Sequence, residues 1–505
     1  MSGATKRYLQ YYLEFAERHS LDWQALDGEY AQIKEAWSKM VEPDQILSFL
    51  WAIHTYQERR GLYPDFLAWS QRGLDIALAT ARAQTVGVLL NNIGFAHFQL
   101  GDWTNARSYL QNALTVHRAN DDGLSMATTY ISLAALEHSV TNSAQALEYY
   151  EEALRLYEAQ GAESGVAVAQ NGIGFILDQR GEWDRALEQL TQALAIRERL
   201  NEKEGMATTL TNIGNLHYDL GRFQEALTHF LRSFDLHTEL GSQEGIANSL
   251  NNLGGVYESL GEWRKAADYY QNAAQIYEEI GQLEGLAIAL NNIGLLQSDL
   301  GNQEETLRYY ERALQIAQQL GSQQRLLTTL NNLSGLYDDL GRQDEAMAGY
   351  QRVLELCEVA GDRARYAMTL NNLATIYADA GEHDKAFERY EQALEIQREL
   401  GNESDAATTR NNLACLYLLL DKPEDALTLL WQAHATFVKT GEKRGLANIL
   451  RNLSVVYESV EQMGEALKYA REALLLFHEL EDKANTELLV NRIAELAQEG
   501  TSERA

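Results

Sequence analysis

Asparagine is a poor helix former, because its amide competes with the backbone for hydrogen bonds. In this chain it nonetheless recurs at one place of a repeated segment: Asn92, Asn212, Asn252, Asn292, Asn332, Asn372, Asn412 and Asn452. The preceding position carries a second row, Asn91, Asn171, Asn251, Asn291, Asn331, Asn371 and Asn411. A carboxamide offers both a donor and an acceptor, which complements the C=O and N–H of a peptide unit without reading its side chain. Such rows either satisfy backbone groups between segments of their own chain or hold the main chain of another polypeptide. Further along the same segment come acids: Asp178, Asp219, Glu258, Asp299, Asp338, Asp339, Asp379 and Glu458. In a last helical turn each would oppose the macrodipole, at about 0.3–1 kcal/mol. Pairing across the next turn with Arg222, Arg264, Lys265 or Arg342 would offset that cost. A groove that selects Lys or Arg on its ligand would offset it too.

Nothing else in the chain reads as chemistry. There is no GxxxxGK[ST] phosphate loop, no HExxH and no GxSxG. His97 and His217 occupy the place where Tyr257 and Tyr337 stand, which predicts core substitutes. His138, His229 and His383 are scattered without ligand spacing. No enzyme activity, cofactor or metal is expected.

The segment that carries the asparagines returns every 40 residues, as Leu90-Asn91-Asn92-Ile93-Gly94, Leu250-Asn251-Asn252-Leu253-Gly254 and Leu290-Asn291-Asn292-Ile293-Gly294. Looser copies begin at Leu330, Leu370 and Arg410. A fixed period of this kind predicts a solenoid of stacked units. Each unit turns at its centre on Gly101, Gly181, Gly221, Gly261, Gly301, Gly341 or Gly381, with Thr141, Asp421 and Glu461 standing in elsewhere. Glycine suits the left-handed cap between two helices. Small residues before the turn (Gly94, Ala134, Gly174, Gly214, Gly294) and after it (Ala106, Ala146, Ala186, Ala226) predict two antiparallel helices in close approach against large partners. The three prolines, Pro43, Pro64 and Pro423, fall where helices should begin. Residues 1–85 read as two degenerate hairpins, breaking at Ser20–Trp23 and Gly61. They hold 13 of the 46 aromatic residues, enough either to close the open end or to form a docking surface. Asp22 and Trp23 stand two periods before Asp102 and Trp103. Ten regular units fill 86–482, and a capping helix with a disordered tail from Gly500 fills 483–505. The cap should bury Leu488, Leu489, Ile493 and Leu496 on one stripe.

The run Leu253, Gly254, Tyr257, Gly261, Ala266, Tyr270, Ala273 resembles the tetratricopeptide repeat. The resemblance implies an all-α right-handed superhelix of antiparallel helix pairs, with the first helix of each pair lining a concave surface. The family's usual unit has a proline closing its second helix, whereas Ala273 to Gly281 runs on. Such extended units look like those of kinesin light chains, cell-polarity adaptors and the sensor arms of bacterial signal-transducing NTPases. Arg59-Arg60-Gly61 and Trp69 are similar to the segment that precedes repeats in the NTPases. The likeness implies an asparagine ladder that holds an extended peptide. Inner helices roughly 10 Å apart and a strand advancing about 3.3 Å per residue would bring one Asn to every third ligand residue. A carboxylate clamp is absent, since Asn251, Asn291 and Thr211 stand where that clamp uses Lys.

The net charge of −31 excludes a nucleic-acid backbone or an anionic membrane as partner. Cys357 and Cys415 lie in different units, without CxxC spacing, and read as structural thiols. A polar N-terminus and the lack of a long apolar run lead to the expectation of a cytoplasmic protein. The first functional expectation is an interaction scaffold that captures a protein or peptide, with the acids favouring basic residues on it. The second is a regulatory sensor subunit that controls a separately encoded NTPase, protease or nuclease. Self-association through the array ends is a further possibility.

Overall fold

The computed structural model describes residues 3–20, 23–140, 142–480 and 482–502. Among them the regular elements are twenty-five α-helices, from α1 (Gly3–Arg18) to α25 (Lys483–Ser502). The expected positions of Asp22, Thr141 and the tail 503–505 lie outside the described residues. Pro43, Pro64 and Pro423 all sit in the first turn of a helix, where the missing N–H is no loss. Helix α25 continues through Gly500 to Ser502, so the expected disordered tail does not begin at Gly500.

Turns recur every 20 residues rather than every 40. At the centre of the units, Gly101, Gly181, Gly341 and Gly381 have φ of 77°, 72°, 70° and 75°, and Asp421 and Glu461 adopt 57° and 59°. Between units a second set does the same: Gly161, Gly281 and Gly321, with Ala81, Asp121 and Asn201 at 54°, 55° and 56°. Each left-handed residue lets the next N–H reach back five residues, as Asp102 N–H does to the His97 carbonyl at 2.8 Å. Helices of 17 or 18 residues follow from this spacing.

Close packing has two sources. Within hairpins, the small residues face large ones as expected: a Cβ on Gly94 would meet Leu110 at 2.7 Å, and one on Gly294 would meet Tyr310 at 2.5 Å. Ala106, Ala146, Ala186 and Ala226 are fully buried. Between repeats a second complementarity operates that the spacing of small residues did not announce. A buried ring or long side chain lies over a glycine eight residues later: Tyr157 on Gly165, Arg197 on Gly205, His237 on Gly245, Tyr277 on Gly285 and Phe437 on Gly445. Where the first residue is small, Ala317 or Cys357, the second is Arg325 or Arg365. The two volumes are exchanged at constant sum.

The chain divides into two compact units, Met1–Leu260 and Gly261–Ala505. In the first, α5 (Ala83–Gln99), α7 (Gly123–Ser139), α9 (Glu163–Gln179) and α11 (Lys203–Asp219) each touch the next of their set. In the second, α15 (Leu283–Asp299) touches α17 (Gln323–Asp339), while α19 (Arg363–Asp379) touches α21 (Glu403–Leu419) and α21 touches α23 (Lys443–Ser459). The even-numbered helices make no comparable approach to one another. The odd-numbered helices therefore line the tighter side of each unit's curvature.

The N-terminal hairpins share one core with α5. Trp37 stacks on Trp69 at 4.2 Å, and both are buried with Phe49, Leu89 and Leu90. Arg72 covers the Trp37 ring at 4.8 Å and donates to its carbonyl at 2.8 Å. Tyr11 and Trp51 stay exposed. At the far end α25 buries Leu489 and Leu496, while Leu488 is 56% exposed and leaves the expected stripe. Arg492 of the same helix pairs with Glu458 on α23.

Candidate functional site

The asparagine rows lie on the odd-numbered helices, half-buried for the most part, with Asn92, Asn291 and Asn371 at 7%, 5% and 8% exposure. Their amides bond chiefly to one another. In the second unit Asn452 Nδ2 donates to Asn411 Oδ1 at 2.7 Å, and Asn411 Nδ2 to Asn412 Oδ1 at 3.3 Å. Asn412 Nδ2 then donates to Asn371 Oδ1 at 3.2 Å, and Asn371 Nδ2 to Asn372 Oδ1 at 3.3 Å. Asn372 ends the chain on the Tyr350 hydroxyl. Amides in series polarise one another, which strengthens each bond. The first unit holds the same rung, Asn212 Nδ2 to Asn171 Oδ1 at 3.2 Å.

The rows are not uniform. Asn291 donates to Thr329 Oγ1 at 2.8 Å and to the Ala287 carbonyl at 3.0 Å. Asn92 bonds His54. Asn252 and Asn332 enter no ladder bond of this kind, and Asn331 keeps a buried Oδ1 without a partner. Asn251 and Asn292 are both engaged. The neighbours Tyr350, Thr329 and His54 went unseen in the sequence, since no spacing rule links them to the amides. In the ladder Asn371, Asn411 and Asn412 each spend one N–H and one lone pair, and keep the other of each.

Apolar side chains stand on the same stripe. Val168, Leu295, Met368, Leu419 and Val455 are exposed on α9, α15, α19, α21 and α23. The stripe thus alternates amide dipoles with apolar patches, a surface that can meet both a main chain and side chains.

The acids end the same helices. Asp178, Asp219, Asp299, Asp338, Asp339 and Asp379 take no part in an ion pair among the described residues; of the four expected partners, Arg342 pairs with Glu345 and Lys265 with Glu262 at 2.5 Å instead. Burial and then the charge of Asp219 push the Asp178 carboxyl up to about 6. Burial raises Asp219 as well. Asp338 is raised by burial and by Asp379 and Asp339. Burial raises Asp299, and the Arg444 guanidinium, about four repeats further along the second unit, draws it back. Glu258 is engaged, and Glu458 pairs with Arg492.

The other candidates are structural. His217 is 9% exposed and stacks on His229 at 5.3 Å, and His97 stacks on Tyr109 at 5.4 Å, as core substitutes should. Cys357 is buried, and burial holds its thiol up at about 11, far from a reactive thiolate. Cys415 is exposed beside Asn452 Nδ2 at 3.6 Å. Among the described residues no group of three His, Cys, Asp or Glu side chains could hold a metal ion, and no helix is long and apolar enough to cross a membrane.

A family model described as tetratricopeptide repeat matches residues 85–159, 141–199, 165–239, 205–279, 285–358 and 365–437. A second, described as anaphase-promoting complex subunit 5, matches residues 420–500. No curated protein matches the chain. Among solved structures, the apo form of the quorum sensor NprR from B. thuringiensis is 17% identical with a TM-score of 0.50, over 68% of this chain and 99% of that one. A Rap protein complexed with competence and sporulation factor is 15% identical with a TM-score of 0.47, over 74% and 98%. BtubC from P. vanneervenii is 23% identical with a TM-score of 0.39, over 43% and 92%. At such identities the likeness is one of fold.

Proposed function

Because the chain belongs to the tetratricopeptide repeat family, we propose that it is a protein-interaction scaffold whose odd-numbered helices take up an extended segment of a partner. The observation that carries this reading is the shared stripe of half-buried amides and exposed Val168, Leu295, Met368, Leu419 and Val455. The ladder holds its own members, Asn371, Asn372, Asn411, Asn412 and Asn452, in a fixed orientation, and a fixed donor–acceptor pair loses less entropy on binding than a free one. Each amide–peptide bond nets on the order of 1 kcal/mol. Affinity is then modest, tolerant of sequence and dependent on the number of repeats engaged. The unpaired Asp219, Asp299, Asp339 and Asp379 give the ligand Lys or Arg to satisfy, in line with the net charge of −31. Nucleic acid and anionic membranes are disfavoured by the same charge.

The test is a pull-down from source lysate that compares the native chain with Asn252→Ala/Asn292→Ala/Asn332→Ala. Loss of the captured partners at unchanged helicity is the expected result. Recovery of the same partners at equal yield would make the amides purely structural and sink the assignment.

A further inference from the structure

Leu90, Leu210, Leu250, Leu290, Leu370 and Leu450 stand two residues before the recurrent asparagine of their repeats and are all at most 9% exposed. On α21 that core position holds Arg410. Its side chain is half-buried, and it forms no hydrogen bond or ion pair among the described residues. A guanidinium carries five donors and stays charged, so a desolvated one without an acceptor is costly. Arg197 shows how this array otherwise treats a buried guanidinium: it donates to the Gly205 carbonyl and, at 2.7 Å, to Thr209 Oγ1. Burial and the like charge of Arg398 both lower the pKa of Arg410, against the pull of Glu403.

A second departure stands beside the first. Gln397, on α20 (His383–Leu400), replaces the ring found at Tyr277, Phe437 and Phe477; it is 2% exposed, and its Oε1 has no partner. Gln397, Arg398, Glu403, Arg410, Ala435 and Lys439 line one cleft of about 420 Å³ between α20, α21 and α22 (Pro423–Thr440). Lys439 and Glu403 neutralise each other at 2.7 Å. Arg398 and Arg410 are left uncompensated, in a chain of net charge −31. The first turn of α21 borders the same cleft, where Asn402 Nδ2 donates to Asp405 Oδ2 at 3.4 Å.

We infer that this cleft binds an organic phosphomonoester, its phosphate between Arg410 and Arg398 and its apolar body against Ala406 and Ala435. Two uncompensated cations match a group of about −1.5 to −2 charge at neutral pH better than a carboxylate. The planar guanidinium fork presents paired donors to the phosphate oxygens. Gln397, buried at the cleft floor, adds a neutral polar wall beside the two guanidinium groups. The site is independent of the amide stripe, so its failure leaves the scaffold reading untouched.

The test is calorimetric titration of the full chain with phenyl phosphate, benzoate and inorganic phosphate, on the native protein and on Arg410→Leu. That substitution installs the leucine that most of the other repeats carry at this position, so the variant is expected to fold, and a thermal melt verifies it. Phenyl phosphate should bind at one site, about tenfold or more tighter than benzoate, and Arg410→Leu should lose about tenfold or more. Inorganic phosphate should bind more weakly than phenyl phosphate, through loss of the apolar contact. Equal binding by a folded Arg410→Leu, equal affinity for benzoate, or no heat with millimolar phenyl phosphate would each overturn the proposal.

Discussion

Asp178 shows at the scale of one residue what the acid row costs. Its carboxyl titrates near 6, raised by burial and then by Asp219, whereas an unfolded aspartate titrates near about 3.9. Between those values the folded chain holds a proton that the unfolded chain has released. This group's contribution is therefore fully present below about pH 4 and is lost as pH rises through 6. At neutral pH its ionised form is a burden. Asp178→Asn should raise stability near neutral pH by on the order of 1 kcal/mol, after allowance for partial solvation, and the gain should vanish near pH 4. Urea midpoints at the two pH values test this. A gain independent of pH would remove Asp178 from the account. The asparagine rows and the acids were legible in the sequence because they keep the period. Their partners were not, since Asn412 finds Asn371 only through side-chain rotamers on two neighbouring helices. Arg410 was visible as a departure from leucine but read as a loose copy of the repeat.

At the scale of the helical hairpin, the glycine beneath each ring governs how closely one repeat seats on the next. A Cβ on Gly285 would come within 2.3 Å of Tyr277 Cε1. Gly285→Ala should cost about 1–3 kcal/mol, as an overpacked core does. Adding Tyr277→Ala should recover part of that loss, so the double variant unfolds at a higher denaturant concentration than the two single effects summed would allow. Strict additivity would mean the ring and the glycine do not meet. Helix boundaries could be found by subtracting 40, and the prolines confirmed three starts. The turns between repeats were legible only in part: Gly161, Gly281 and Gly321 signal them, whereas Ala81, Asp121 and Asn201 adopt the left-handed conformation without a glycine. The ring-on-glycine pairs escaped as well. Eight residues apart across a turn, neither partner stands out in its own helix.

For the whole molecule, the N-terminal hairpins are continuous with the repeats in packing. Val86, Leu89, Leu90 and Ile93 share a core with Trp37, Phe49 and Trp69. Deleting residues 1–80 should strip that cover and cost α5 its amide protection in hydrogen exchange, with a tendency to self-associate through the bared face. Unchanged protection in a monomeric truncation would make the hairpins an appendage. Such a deletion is therefore no clean way to separate a docking role of these hairpins from their role in folding.

The chain bends back on itself every 20 residues, yet the two faces it builds recur only every 40. Excising one whole unit keeps every later helix on its own wall and merely shortens the array. Excising half a unit preserves the fold-back geometry but inverts all that follows, carrying amides to the outer wall and alanine-rich helices to the inner one. Duplication or loss is thus tolerated in steps of a pair, and the number of amides presented to a partner changes by whole repeats.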